Sequence, residues 1–305
     1  MTESSAFTLS GLKVGWIGTG VMGLSMAKRL QKENVSLFIH NRTKEKTKAL
    51  LKEGATWIDR PCDLVEKVDI IFMMVGLPVD VESCVFGKHG FLKSNEMLSG
   101  KIIVDMTTSS PSLAMKVGEA LGEKGALSLD APVSGGDIGA VNGTLSIMVG
   151  GDKSGFHKLK NFWEVLGKTV VYHGSYGLGQ HAKMVNQTLI ATNMIGVSEA
   201  LLYAHKAGMD PWKVLESVES GAAASWSLSQ LGRRILNKDF SPGFYVDHFI
   251  KDMGIALEEA KRMNLSLPGL SLAHQLYIAL RAQGGGQMGT QALYKALERV
   301  NNILS

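Results

Sequence analysis

The sequence has few cysteines, few prolines, and no long run of apolar or basic residues. Its 305 residues include seven prolines and only two cysteines, Cys62 and Cys84. The two cysteines form neither a metal-binding nor a redox spacing, so we expect reduced thiols in a cytoplasmic protein. No apolar run approaches the roughly 18 residues that span a membrane, and residues 1–10 show no secretory leader. These absences argue against a disulfide framework and against a membrane protein.

The charge balance is also modest. The formal net charge is +4, and no basic run exceeds a few residues, so we expect neither nucleic-acid nor membrane-surface binding. Glycine, in contrast, is abundant, with 35 residues, and 45% of the chain is hydrophobic. Many glycines with few prolines favour an α/β protein with tight strand-to-helix turns over a disordered chain.

Short apolar runs alternate with amphipathic segments in the first half of the chain. The runs predict strands at residues 13–17, 36–40, 69–75, 101–105 and 126–130, with two more at 144–149 and 169–172. Unbroken apolar strands are typical of a parallel sheet covered by helices on both faces. We therefore predict a Rossmann-type, doubly wound parallel sheet and assign residues 11–173 to a dinucleotide-binding domain.

The second half has only helical patterns. The longest of them spans residues 181–207 without a strand-like interruption, and five further helical segments follow it. This change of rhythm predicts an all-helical domain over residues 174–305, for substrate binding and dimerisation, that begins with a long interdomain helix. Its apolar faces suggest a partner subunit, hence a homodimer or homotetramer.

A glycine fingerprint follows the first predicted strand and opens a helix. Its residues are Gly18, Thr19, Gly20, Val21, Met22 and Gly23. Such a turn bends tightly at the first glycine, lets the backbone approach a pyrophosphate at the second and packs helix on strand at the third. The helix N-terminus then faces the anion. Although a glycine-rich turn alone is weak evidence, the strand-to-helix context favours dinucleotide binding.

The turn after the second strand indicates which dinucleotide binds. NAD-binding proteins usually place Asp or Glu here to bond the ribose 2′-hydroxyl. This chain has Asn41, Arg42 and Thr43 instead, and the turn itself contains no carboxylate. Arg42 can pair with a 2′-phosphate while its two neighbours donate hydrogen bonds, although an ordinary solvated turn is the alternative. We expect NADP(H) to be favoured and NAD(H) to remain possible.

Two further segments carry polar groups suited to chemistry. The eight histidines show no metal-binding pattern, so an oxidoreductase built on this dinucleotide turn would need a metal-free proton donor. Lys183 lies in an apolar helical stretch with Asn186 three residues later, on the same helix face, although an exposed helical lysine is the alternative. The segment Ser134-Gly135-Gly136 follows a strand and offers backbone N–H groups for a carboxylate, or forms only a tight turn.

Four separated motifs give the chain a family resemblance. They are GWIGTGVMG at residues 15–23, DAPVSGG at 130–136, GQHAKMVNQ at 179–187 and KDM at 251–253. Together they resemble the β-hydroxyacid dehydrogenase family, which includes 3-hydroxyisobutyrate dehydrogenase and semialdehyde reductases, over nearly the whole chain. The resemblance implies hydride transfer between NADP(H) or NAD(H) and a small hydroxy acid, or its semialdehyde or keto acid.

The resemblance also implies roles for individual residues. The catalytic general acid/base and its partner are implied to be Lys183 and Asn186. The implied substrate-binding residues are Ser134, Gly135, Gly136 and Lys251. The implied cofactor-binding residues outside the two turns are Met74, Val75, Thr108 and Lys251. Without the resemblance, Lys251 and Asp252 would be interpreted as an exposed charge pair.

Two alternatives stay open at this point. Relatives with the same architecture reduce imines, but they typically carry Asp or Tyr where this chain has Lys183. A non-catalytic cofactor-binding protein is the second alternative, and retention of the lysine also argues against it. For the leading interpretation we expect a small carboxylate substrate and no metal, nucleic acid or membrane as partner.

Overall fold

The computed structural model describes residues 6–94 and 96–303. The chain forms two compact units, Met1–Lys183 and Met184–Ser305. The division falls inside a long helix, and the boundary expected from the sequence, after residue 173, stays a prediction.

Within the described residues, one sheet of nine strands organises the first unit. The strands are β1 Lys13–Ile17, β2 Ser36–His40, β3 Thr56–Trp57, β4 Ile70–Met73, β5 Ile102–Asp105, β6 Leu127–Asp130, β7 Val133–Ser134, β8 Leu145–Gly151 and β9 Gly167–Gly174. Their order is β3-β2-β1-β4-β5-β6-β8-β7, and β9 pairs with β8. From β3 to β6 all pairs are parallel. The strand order reverses beside β1, which places a ligand crevice at the carboxyl ends of β1 and β4.

Helices connect the strands. The helices of the first unit are α1 Val21–Lys32, α2 Lys48–Lys52, α3 Pro61–Val65, α4 Pro78–Phe86, α5 Pro111–Gly122, α6 Gly136–Asn142, α7 Lys153–Lys158 and α8 Lys160–Leu166. Helix α9, Leu178–Lys206, begins in this unit and continues into the second. Helix α5 begins at a side-chain cap, because Ser110 Oγ accepts a hydrogen bond from Leu113 N at 3.1 Å with proline at the first helical position.

The unbroken apolar runs of the central strands are explained by two buried clusters. Trp16 and Phe72 belong to one cluster, where their rings stack with centroids 5.7 Å apart. Their neighbours Ile17, Ile71 and Met73 belong to another cluster. Since successive side chains on a strand point to opposite faces, both faces of the sheet are buried. The predicted fold class, a Rossmann-type sheet followed by a helical region, is confirmed.

The structure differs from the expected sheet at its last strands. Strand β8 runs antiparallel to β6 and β7, so the sheet is mixed rather than purely parallel. Apolar content predicts that a segment is a strand but does not encode its direction, which the connection through α6 decides. The two-residue strands β3 and β7 and the short helix α6 were not predicted, because they are too short to show a period.

In the second unit, helices are the regular elements among the described residues, and an isolated β-bridge joins Tyr245 and Gly289. After α9 its helices are α10 Pro211–Val218, α11 Arg233–Leu236, α12 Val246–Arg262, α13 Pro268–Leu280 and α14 Leu293–Val300. A π-helical turn, Ser227–Gly232, leads into α11. The core of this unit includes Phe249 against Tyr277, whose hydroxyl donates to the Thr290 carbonyl at 2.8 Å. No helix in the described parts of the chain combines the length and hydropathy needed to cross a membrane.

Candidate active site

The turn between β1 and α1 is built for close backbone approach. Gly18 has φ +93°, and a Cβ there would collide with the Met74 carbonyl. Gly20 directly precedes α1 and supplies no side-chain cap, and a Cβ at Gly20 would meet no atom within 4 Å. The backbone at the start of α1 is therefore accessible from open space, and no side chain of Gly20 covers it. Because no Cβ intrudes, this turn fits the pyrophosphate of a dinucleotide.

The remaining fingerprint residues have different surroundings. Thr19 is buried, Val21 is exposed at the first position of α1, and Met22 packs partly against the core. A Cβ at Gly23 would collide with the Gly18 carbonyl, so this glycine permits the helix to start directly over the strand end. These contacts explain glycine at positions 18 and 23, and the expected approach of a pyrophosphate at Gly20 stays a prediction.

Asn41 joins the turn after β2 to the glycine turn. Its side-chain oxygen accepts a hydrogen bond from Thr19 N at 3.0 Å, and its side-chain nitrogen donates to the Thr43 carbonyl at 2.7 Å. The amide nitrogen of Asn41 carries a second N–H group, so the expected donation to a phosphate stays a prediction. Thr43 is exposed and precedes a 3₁₀ turn, Lys44–Thr47.

Arg42 has a carboxylate partner that the sequence did not reveal. One of its guanidinium nitrogens lies 3.2 Å from an Asp80 carboxylate oxygen, although 88% of the Arg42 side chain is exposed. The other Asp80 oxygen accepts a hydrogen bond from Leu77 N at 3.1 Å, at the start of α4. A 2′-phosphate could reach the exposed guanidinium, but it would share it with Asp80.

The segments after β4 and β5 lie side by side at the same sheet edge. Val75 N donates to Thr107 Oγ1 at 3.0 Å, and Thr107 N donates to an Asp105 carboxylate oxygen at 2.9 Å. Thr107 is buried, whereas Thr108, Met74 and Val75 are half-buried. Thr107 thus holds the two segments together and leaves Thr108 at the more accessible position.

Ser134, Gly135 and Gly136 form a strand-to-helix junction. Ser134 ends β7, and helix α6 begins at Gly136. Gly135 and Gly136 have φ values of +127° and +64°, a conformation that favours glycine over other residues. A simple tight turn was the alternative expected for this segment. The structure shows a helix start with backbone N–H groups, the arrangement that a carboxylate can bind.

Lys183 is buried in the first turns of α9, with 6% of the residue exposed. The interpretation of an exposed helical lysine is therefore wrong. The start of the same helix contacts Asp130 and carries the buried Gln180, two residues that the sequence analysis did not single out. Asp130 lies in the motif at residues 130–136 and Gln180 in the motif at 179–187. Their place in these motifs was the one sequence signal that could have singled them out.

The other implied polar residues form a hydrogen-bonded group within the second unit. Asn186 donates from its side-chain nitrogen to Gln187 Oε1 at 2.7 Å, and Gln187 donates to an Asp252 carboxylate oxygen at 2.6 Å. The ammonium of Lys251 lies 2.9 Å from the other Asp252 oxygen. Because Asp252 is buried, the interpretation of an exposed Lys251–Asp252 pair is wrong. Burial makes this group more sensitive to loss of one partner than a surface pair.

The described residues contain no group of three or more His, Cys, Asp or Glu side chains that could hold a metal ion. The features that converge at the carboxyl edge of the sheet define a class of protein, a nicotinamide-dependent oxidoreductase. The glycine turn and the strand-order reversal beside β1 are typical of this class. Lys183 is buried, and its role as proton donor stays a prediction.

Comparison with known proteins identifies the family. Residues 13–174 match the model for the NAD binding domain of 6-phosphogluconate dehydrogenase. Residues 177–297 match the model described as the NAD-binding domain of NADP-dependent 3-hydroxyisobutyrate dehydrogenase. The chain belongs to the 3-hydroxyisobutyrate dehydrogenase family and is an NAD(P)-dependent dehydrogenase or reductase acting on the CH–OH group.

Similar proteins agree with this assignment. An uncharacterised oxidoreductase, YkwC, of Bacillus subtilis is 52% identical over 92% of this chain and 97% of its own. The 2-hydroxy-3-oxopropionate reductase of Escherichia coli is 40% identical over 95% of this chain and 99% of its own. Among solved structures, Psf3 in complex with NADP+ and 2-OPP superposes with a TM-score of 0.84 at 26% identity, covering 93% of this chain and 99% of that one.

Proposed function

We propose that the protein is an NADP(H)-dependent reductase of small aldehyde or keto acids, which also oxidises the matching hydroxy acids without a metal. The observation that carries this proposal is the burial of Lys183 in the first turns of α9, in a chain whose first unit has a dinucleotide-binding turn. An ammonium is rarely buried without a specific role, because burial of a charge costs free energy.

Lys183 supplies the proton in the proposed reaction. When bound, the nicotinamide cofactor supplies hydride for reduction or accepts it in oxidation. As negative charge grows on the carbonyl oxygen, the Lys183 ammonium stabilises it by hydrogen bonding and then transfers a proton to that oxygen. In the oxidative direction the neutral amine removes the proton from the hydroxyl.

The proposal assigns the substrate carboxylate to the junction Ser134-Gly135-Gly136. The backbone N–H groups there and the Ser134 hydroxyl are hydrogen-bond donors, which suit a carboxylate. It assigns Asn186 and Lys251 to substrate binding, with Lys251 also available to the cofactor. Their shared partners, Gln187 and Asp252, hold both side chains in one hydrogen-bonded group.

The preference for NADP(H) rests on the exposed Arg42 guanidinium. Gly18–Gly23 would hold the pyrophosphate, and Arg42 would pair with the 2′-phosphate. The proposal assigns Met74, Val75 and Thr108 to the nicotinamide end, since they lie at the carboxyl edge of β4 and β5. The similarity to a structure containing NADP+ supports this choice of cofactor.

The test offers a panel of substrates to the enzyme and monitors turnover as the loss of near-ultraviolet NADPH absorbance. We expect turnover with at least one of glyoxylate, succinic semialdehyde, tartronate semialdehyde and methylmalonate semialdehyde, and none with simple cyclic imines. Lys183→Ala should lower kcat about 10²–10⁴-fold, the usual contribution of a general acid. Turnover of imines alone, or a Lys183→Ala variant retaining half of the wild-type kcat, would contradict the proposal.

A further inference from the structure

The carboxylate of Asp130 caps the helix that carries Lys183. Asp130 ends β6, and its two oxygens accept hydrogen bonds from Gly177 N at 2.9 Å and from Gln180 N at 2.8 Å. These N–H groups belong to the start of α9, where no intrahelical acceptor exists for them. A carboxylate at this position also interacts favourably with the helix dipole. One buried side chain therefore fixes the first turn of the helix against the end of a central strand.

The Gln180 side chain makes a second attachment of the same turn. Its nitrogen donates to the Thr107 carbonyl at 2.7 Å, and its oxygen accepts from Ser109 N at 2.9 Å. Gln180 is fully buried, so both bonds are shielded from water. The segment 107–109, to which Gln180 hydrogen-bonds, contains Thr108, the residue proposed to contact the cofactor. The start of α9 is thus tied to two strand ends at once, those of β5 and β6.

Two glycines bring the strand end and the helix start into direct backbone contact. A Cβ at Gly179 would collide with the carbonyl oxygens of Asp130 and Met148. A Cβ at Gly150 would collide with Gly179 N and with an oxygen of the Asp130 carboxylate. Because no side chain separates these backbones, the position of the helix start has little freedom.

Burial of the charged Asp130 carboxylate costs free energy, so we infer that stabilisation of the fold alone does not explain its position. Burial raises the pKa of Asp130 to about 6, although the backbone hydrogen bonds from Gly177 and Gln180 act in the opposite direction. Desolvation of the charge therefore outweighs the hydrogen bonds that it receives. Lys183 lies three residues after Gln180, about 4.5 Å further along the helix axis and on the same face. Any shift of the helix start is passed directly to Lys183.

We propose that Asp130 and Gln180 are positioning residues for Lys183: they hold its helix in register with the cofactor-side segment 107–109 and touch neither substrate nor cofactor themselves. The inference rests on the function proposed above for Lys183. Displacement of a reacting group by about 1 Å can lower a rate about 10²-fold, so loss of either attachment should act mainly on kcat.

The test compares Asp130→Asn and Gln180→Met with a control for helix capping elsewhere. Asparagine keeps the shape of Asp130 but can accept at only one of its two positions, and methionine keeps the size of Gln180 without its hydrogen bonds. The control is Asp210→Ala, which removes the carboxylate that accepts from Trp212 N at 2.9 Å at the start of α10, a helix with no proposed site residue. We expect kcat to fall about 10–100-fold in both test variants, NADPH Kd to change less than about threefold, and kcat of the control to stay unchanged.

A double variant separates positioning from a general structural role. If Gln180 acts through Lys183, Gln180→Met should cause no further loss of kcat in a Lys183→Ala background. An equal loss with and without Lys183 would overturn the inference, as would a folded Gln180→Met variant with wild-type kcat. Should Asp130→Asn fail to fold, the Gln180 comparison still decides the question.

Hydrogen exchange gives a readout that needs no turnover. Amide protection over residues 177–186 should decrease in Asp130→Asn and Gln180→Met and stay unchanged in Asp210→Ala. Unchanged protection in both test variants would overturn the inference even if the wild-type enzyme reduces the proposed acids. If both test variants lose protection but the wild-type protein turns over no acid of the panel, the proposed function is wrong and the attachment of the helix is still supported.

Discussion

The buried Asp130 carboxyl predicts a particular dependence of stability on pH. Its pKa is raised from the usual 3.8 to about 6, first of all because burial desolvates the charged form. Between these two values the folded protein retains a proton that the unfolded chain has released. The resulting stabilisation is complete below about pH 4 and is lost as the pH rises through about 6.

The size of the effect follows from the shift. Roughly two pKa units, at about 1.4 kcal/mol each, correspond to about 3 kcal/mol of unfolding free energy. Asp130 is only 4% exposed, so solvent screening reduces this value little. In Asp130→Asn the titration is absent. The unfolding free energy of the wild type minus that of the variant should therefore fall by about 3 kcal/mol between pH 4 and 7.

The assay is urea unfolding at a series of pH values, followed by tryptophan fluorescence. Replacing Trp212 and Trp226 by phenylalanine leaves all remaining tryptophans in the first unit, which contains Asp130. Asp63→Asn is the matched control in the same unit, because a hydrogen bond from Arg60 lowers rather than raises the pKa of Asp63. Its stability difference should be flat above about pH 4. A flat difference for Asp130→Asn would refute the argument, since it would mean that the buried carboxyl titrates normally.

The remaining predictions concern the cofactor turn and the proton donor. Lys183→Arg should rescue kcat poorly relative to Lys183→Ala, because arginine keeps its charge but does not release its proton at working pH. Arg42→Ala should raise the KM for NADPH at least about tenfold and leave NADH kinetics nearly unchanged, because the contact with the 2′-phosphate is lost. Asp80→Asn should lower the KM for NADPH about two- to fivefold, because the Arg42 guanidinium no longer pairs with a carboxylate. Gly18→Ala should abolish tight cofactor binding and lower the melting temperature, because its φ of +93° and the nearby Met74 carbonyl leave no space for a Cβ. Prolonged EDTA treatment should leave the rate intact.

Each of these predictions has a contrary outcome. Full activity of Lys183→Arg would remove proton transfer from the role of this residue. A wild-type preference for NADH by a wide margin would remove the Arg42 assignment, and an Asp80→Asn variant indistinguishable from wild type would show that the ion pair does not compete with phosphate. Wild-type NADPH affinity in Gly18→Ala, or zinc-dependent recovery after EDTA, would contradict the proposed cofactor turn or the proposed chemistry, respectively.

The sequence predicted much of the fold because its signals are local. Strands β1 and β2 were predicted at their observed bounds, since buried strands produce unbroken apolar runs between turn residues. The glycine turn was predicted for a similar reason, because tight backbone approach restricts residue type at fixed spacings. The direction of β8 was not predictable, because a strand has the same pattern whichever way it runs.

The candidate site shows the same division between local and tertiary information. The motifs pointed to Lys183 and to the Ser134–Gly136 segment, but they left the burial of Lys183 and the helix start at Gly136 open. Burial depends on what packs around a helix, and a helix of seven residues is too short to show its period.

Only the tertiary structure shows which residues far apart along the chain form hydrogen bonds or ion pairs with each other. Asp80 reaches Arg42 across 38 positions, Gln187 reaches Asp252 across 65, and Gln180 reaches Ser109 across 71. No local pattern encodes such a pairing, because hydrogen bonds and ion pairs depend on distances in space that are set when strands and helices pack. The sequence by itself thus determined which residues could do the chemistry. Only the fold, by burying Asp130 and Gln180 at the start of α9, decided how firmly the Lys183 helix is held.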